Sequence, residues 1–102
     1  MYRARDRLEH REWLDRVDEA GQQLDLSQST RSTAEDLFLT HVPDAERSKP
    51  AVAAASLYAA ALIDGEGRSQ PAVAETLDVS RLSIQSRWKE IMAEAGFQPP
   101  TW

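Results

Sequence analysis

SQPAVAETLDVSRLSIQSRWKEI, residues Ser69 to Ile91, is the stretch that decides the fold. Ala72, Val73 and Leu77 give a short helix one apolar face, and Ala74 is small enough for a second helix to cross closely. Asp78-Val79-Ser80 is a turn, with Val79 plugging the angle between the helices and Ser80 able to cap the second one through its hydroxyl. That second helix carries Ile84, Trp88, Ile91, Met92 and Ala95 at i, i+4, i+7, i+8 and i+11, a stripe that faces a core. Arg81, Ser83, Gln85, Ser86, Arg87 and Lys89 remain on its outer side. The pattern predicts a helix-turn-helix over 69–95 whose outer face meets phosphates and base edges of duplex DNA.

Upstream of this unit, AVAAASLYAAALI (Ala51 to Ile63) is apolar nearly all round, so it must be surrounded by other helices. Ser48 is its expected cap, Pro50 sits where a first helical turn tolerates proline, and Gly65 is the expected left-handed stop. A helix over about Ala4–Leu24 is expected from Leu14, Val17, Gly21 and Leu24, with Leu8 and Trp13 flanking the stripe. Another follows to about Val42, carrying Ala34, Leu37, Phe38 and His41. Its start is open: Ser27 is one cap, and the capping box Ser32-Thr33-Ala34-Glu35 is a later alternative. Ser69 caps the fourth helix and Gly96 stops the fifth, beyond which Phe97 and Trp102 form a tail that can fold back. No segment alternates as a strand would. The expectation is one all-α domain of five helices spanning 1–102.

Composition bounds the function. The chain has 102 residues, 41% of them hydrophobic, and no cysteine. Zinc ribbons and disulfides are therefore excluded, and His10 and His41 are too far apart to make a metal site. The 13-residue alanine-rich run is too short to span a bilayer and the charged N-terminus lacks a signal-peptide pattern, so a cytoplasmic protein without a membrane partner is expected. No catalytic triad, metal cluster or phosphate loop is visible, so neither an enzyme, a cofactor nor a small-molecule substrate is expected.

The net charge is −5, an unusual balance for a nucleic-acid binder. Its distribution is uneven: residues 1–47 sum to −4 and residues 48–102 to −1, so the helix-turn-helix half is nearly neutral. Ten arginines against two lysines suit a salty cytoplasm or a GC-rich genome.

The segment from Arg47 to Ile91 resembles the second, C-terminal cyclin-like repeat of archaeal transcription initiation factor B, the counterpart of eukaryotic TFIIB. The likeness rests on the alanine-rich helix Ala53–Ala61, on Ser69-Gln70, Val73-Ala74, Val79-Ser80 and Ser83-Ile84, and on Arg87-Trp88-Lys89-Glu90. It implies a cyclin-like fold whose last helix enters the major groove of promoter DNA beside a TATA-binding protein. On that resemblance Arg81, Ser83, Gln85, Ser86 and Arg87 face DNA, with Lys89 beside them, while Gly67, Arg68 and Ser69 lie near the phosphate backbone. The zinc ribbon of the family is not expected here, and one repeat fits where initiation factors use two.

Trp88 continues the apolar stripe and belongs in the core rather than on a stacking surface. Leu82 lies off the stripe, available to a thymine methyl or a protein partner. A neutral domain with three or four basic contacts binds DNA weakly alone and needs a second anchor. The resemblance implies a DNA-binding regulator of archaeal transcription initiation that reads promoter DNA through the fifth helix; the alternative function is a protein–protein interaction module with a cyclin-like fold that binds a transcription partner but not DNA.

Overall fold

The computed structural model describes residues 4–100, with side chains from residue 7 onward. Among these residues there is no strand. The helices are α1 (Ala4–Glu9), α2 (Arg11–Gln23), α3 (Gln28–His41), α4 (Lys49–Ile63), α5 (Gln70–Thr76), α6 (Arg81–Gln85) and α7 (Trp88–Glu94). A 3-10 turn, Glu46–Ser48, runs directly into α4. The architecture is all-α and cyclin-like, and among the described residues no helix is long and apolar enough to cross a membrane.

Helix α4 is the axis of the fold. Every residue from Ala51 to Ala61 is buried, and α2, α3, α5, α6 and α7 all pack against it. Seven of those eleven positions are alanine, so neighbouring backbones approach from every side at the short end of helix packing distances. The bulk that alanine lacks comes from its neighbours. Trp88 is fully buried and meets Tyr58 edge-to-face, with ring centroids 5.3 Å apart. Trp13 and Phe38 stack at 6.2 Å on the other side of the core. Of the predicted stripe, Ile84, Trp88, Ile91 and Met92 are buried, and Ala95 at its end is partly buried against the core.

Four helices end in one geometry. After α4, Gly65 takes φ +75, its N–H bonds Leu62 O and the next N–H, of Glu66, reaches back to Ala61 O. After α7, Gly96 at φ +91 repeats the pattern, with Phe97 N–H bonding Met92 O. These are Schellman ends, in which a left-handed residue lets two N–H groups satisfy carbonyls of the last turn. The ends of α2 and α5 are built the same way around Asp25 (φ 57) and Asp78 (φ 55), where the six-to-one bonds are Leu26 N–H to Gly21 O and Val79 N–H to Ala74 O.

Two of the five predicted helices are interrupted. The first breaks at His10, and Leu8, expected beside the core stripe, is 68% exposed. Arg7 instead draws α1 toward α3 through ion pairs with Asp36 (3.0 Å) and Glu35 (3.6 Å). The fifth breaks at Ser86-Arg87, where Arg87 sits at φ −127 and its N–H bonds Ile84 O rather than the carbonyl four residues back. That carbonyl, Ser83 O, accepts instead from the Ser86 hydroxyl (3.3 Å) and the Arg87 guanidinium (3.4 Å). Polar side chains here take over a backbone donor's place.

Two cap assignments also resolve. Ser27 caps α3, accepting from Thr30 N–H at 3.2 Å, and Ser32 lies inside the helix. Ser48 does not cap α4: its backbone is already helical, because the 3-10 turn supplies the first bends. Phe97 is 46% exposed, so the tail does not bury it, and Trp102 lies outside the described residues.

Candidate nucleic-acid interface

Helices α5 and α6 pack against one another across the turn that the sequence predicted. Val73, Ala74 and Leu77 from α5 and Ile84 from α6 are buried, with Val79 packed into the turn. Ser69 caps α5 by accepting from Ala72 N–H, and Ser80 caps α6 by accepting from Ser83 N–H, each at 3.2 Å. The Ser80 and Ser83 hydroxyls lie 3.1 Å apart, so Ser83 belongs to the cap as much as to the outer face.

Across the mouth of the helix pair runs a short polar chain. Arg81 Nη1 donates to Gln70 Oε1 at 3.4 Å, and Gln70 Nε2 donates to Gln85 Oε1 at 2.7 Å. Arg81, Gln85 and Leu82 are exposed, Leu82 by 66%. Gln70 was not among the residues the sequence nominated. Its position as the first residue after a cap hides its role, which only the crossing of the helices creates.

The break before α7 divides the nominated set. Ser86 is exposed beside Gln85, but Arg87 is half-buried, its guanidinium folded onto Ser83 O and the Ser86 hydroxyl. It lines a groove of about 370 Å³ with Thr40, His41, Glu90 and Glu94. His41 Nε2 lies 3.2 Å from Glu94 across that groove. Lys89 is half-buried with its ammonium 5.5 Å over the Trp88 ring, a cation–π contact. Arg81, Ser83, Gln85 and Ser86 thus share one neighbourhood, and Arg87 and Lys89 turn toward the body of the domain.

Arg68 is committed inward. Its Nε donates to Leu24 O (2.9 Å), Nη2 to Asp25 O (3.3 Å) and Nη1 to Glu66 O (2.7 Å). Glu66 from the same loop accepts Ser27 N–H, and that bond, followed by one from the Ser27 hydroxyl, holds its carboxyl below the ordinary range. The loop between α4 and α5 therefore stitches the α2–α3 junction to the helix-turn-helix. Ser69 is exposed at its far end. Among the described residues no cluster of His, Cys, Asp or Glu could hold a metal ion.

The profile of the transcription factor TFIIB repeat matches residues 14–94, from the second turn of α2 to the last residue of α7. This chain belongs to the TFIIB repeat family. It is 30% identical over 90 residues to transcription initiation factor IIB 2 of Thermococcus kodakarensis, a match covering 85% of this chain and 29% of that protein. Similarity to transcription initiation factor IIB of Sulfurisphaera tokodaii is 33% over 89 residues, covering 84% of this chain and 29% of the relative. With transcription initiation factor IIB 1 of Thermoplasma volcanium it is 40% over 75 residues, covering 67% and 23%. The chain spans less than a third of the length of these relatives. As a TFIIB repeat it has a relationship to archaeal transcription initiation factors, and the matched region contains both the alanine-rich axis and the helix-turn-helix.

Proposed function

We propose that this TFIIB repeat reads promoter DNA through α6, in an initiation complex that includes a TATA-binding protein. One observation carries the reading: the Arg81–Gln70–Gln85 chain lies across the outer mouth of the helix pair, next to exposed Leu82. Donors and acceptors of this kind read base edges, and a leucine there suits a thymine methyl. Arg81 is the basic group nearest the reading surface, with Ser69, Ser83 and Ser86 as neutral partners for phosphate oxygens. Arg68, Arg87 and Lys89 support the surface from behind, and reach phosphate only by exchanging their present partners.

Charge limits this activity. With Arg81 alone on phosphate, affinity falls roughly 3-fold between ~50 and ~200 mM salt, and roughly 40-fold if two further basic groups exchange their partners for phosphates. A partner already on the promoter supplies the second anchor. Titrating labelled duplex DNA with the protein, with and without a TATA-binding protein, at those two salt concentrations tests the proposal. Binding that is salt-sensitive, strengthened by the partner and weakened by Arg81→Ala is expected. If neither fluorescence anisotropy nor chemical shifts of α6 respond to DNA at low salt with the partner present, the DNA reading fails. The interaction-module alternative, favoured by the net charge of −5, then takes its place.

A further inference from the structure

We infer that Gln70 is a specificity-determining positioning residue: it fixes the Gln85 amide so that its NH2 group, not its oxygen, is offered to DNA. The inference rests on the DNA reading proposed above. Its basis is the direction of the hydrogen-bond chain. Arginine has donors and no acceptor, so the Gln70 atom facing Arg81 must be the amide oxygen. Gln70 therefore presents its NH2 to Gln85, 2.7 Å away, and the Gln85 atom that receives it must be the oxygen. The polarity Arg81 to Gln70 to Gln85 is set by Arg81 alone. Each amide has only two orientations, and reversing either one places two donors or two acceptors face to face.

The consequence is chemical. An unconstrained glutamine suits adenine, donating to N7 while accepting from N6. Gln85 has its oxygen turned back toward Gln70, and among the described residues nothing accepts from its NH2. What remains at this point of the surface is a donor, flanked by the other donors of Arg81. Guanine matches such donors at both N7 and O6 and thymine at O4, whereas adenine accepts at N7 alone and sets its N6 amino group against a donor, as cytosine does with N4; the surface therefore favours guanine and thymine.

Gln70→Glu gives the decisive variant. A carboxylate only accepts, so it takes a bond from the Gln85 NH2 and leaves the Gln85 oxygen facing out. Selection from a randomised duplex library, with a TATA-binding protein on an adjoining fixed site, is the experiment. The wild-type chain is expected to enrich guanine or thymine at one position, by at least about five-fold over adenine and cytosine. Gln70→Glu is expected to invert that position toward adenine or cytosine, and Gln70→Ala to flatten it, with other positions unchanged. Melting curves of both variants establish that they fold. Folded variants that bind DNA with the wild-type preference overturn the role of Gln70 and leave the DNA reading intact. Absence of any selection by the wild-type chain overturns the DNA reading itself.

Discussion

Glu66 accepts the backbone N–H of Ser27 at 2.8 Å, a contact that joins residues 39 apart in the chain. In an ordinary capping box the glutamate comes from the helix's own third residue. Here Thr30 occupies that place and bonds the Ser27 hydroxyl instead, so the α4–α5 loop supplies the carboxylate. Because this contact holds the Glu66 carboxyl below its ordinary value of 4.5, its stabilisation is present above that pH and lost as pH falls through the lowered value. Glu66→Gln is expected to lower the melting temperature near neutral pH. The gap from wild type should close as pH falls through the lowered value, and a gap that stays unchanged throughout that acid range would exclude the carboxylate's charge as its cause.

Glu35 titrates in the opposite sense. Burial raises its carboxyl above 4.5, and the Arg7 guanidinium only partly offsets this. A raised carboxyl stabilises the fold less as pH climbs from the unfolded value through the folded one. Glu35→Gln should therefore melt higher than wild type near neutral pH and converge with it in acid, as followed by circular dichroism.

Gly21→Ala is expected to destabilise, although alanine normally favours a helix interior by about 1 kcal/mol. A Cβ at Gly21 would stand 2.6 Å from Arg31 Cγ and 2.8 Å from its Cδ, mid-chain atoms that cannot simply swing away. Arg31 must leave, giving up Asp18 at 2.9 Å and Leu26 O at 3.1 Å. Chemical denaturation with the double variant Gly21→Ala/Arg31→Ala checks the cause, since removing the obstacle should recover the helix benefit.

Ser56 is fully buried on α4, and among the described residues its hydroxyl has no hydrogen-bond partner. Ser56→Ala should stabilise the protein by about 1 kcal/mol, by removing an unsatisfied polar group at almost constant volume. A leucine at the same place should destabilise by about 1–3 kcal/mol, because the neighbouring helices leave no space.

Asp78→Gly should stabilise the turn by roughly 0.5–1 kcal/mol, since glycine adopts its left-handed backbone without a Cβ clash. On the DNA reading, the same change removes a negative charge from the turn leading into α6 and should tighten binding at low salt.

Helix positions were legible where one cause dominates. The alanine-rich axis, the Ile84–Trp88–Ile91 stripe and the glycine stop at Gly65 follow from periodicity and backbone permissiveness. The break at Ser86-Arg87 was not legible, because the apolar period passes through it undisturbed. Only the competition of two polar side chains for Ser83 O marks it. The aspartates that close α2 and α5 escaped for a related reason: aspartate is common in helices and loops alike, and its left-handed backbone is a tertiary outcome. In the candidate interface, spacing nominated Arg81, Ser83, Gln85 and Ser86 together. It could not separate Arg68, whose carbonyl partners Leu24 and Asp25 lie more than 40 residues away.

The helix ends carry acids where the backbone dipole is itself negative. Asp25, Asp64 and Asp78 sit at or just beyond the ends of α2, α4 and α5, Glu94 closes α7, and none of these four helices has a basic residue in its last turn. Each placement is repulsive in dilute buffer and is screened within a Debye length of about 8 Å at physiological ionic strength. Added salt thus steadies this fold while it weakens any grip on phosphates. Thermal stability and DNA affinity should run in opposite directions along one ionic-strength axis. The dilute conditions that make a complex easiest to detect are those in which the free domain is least stable.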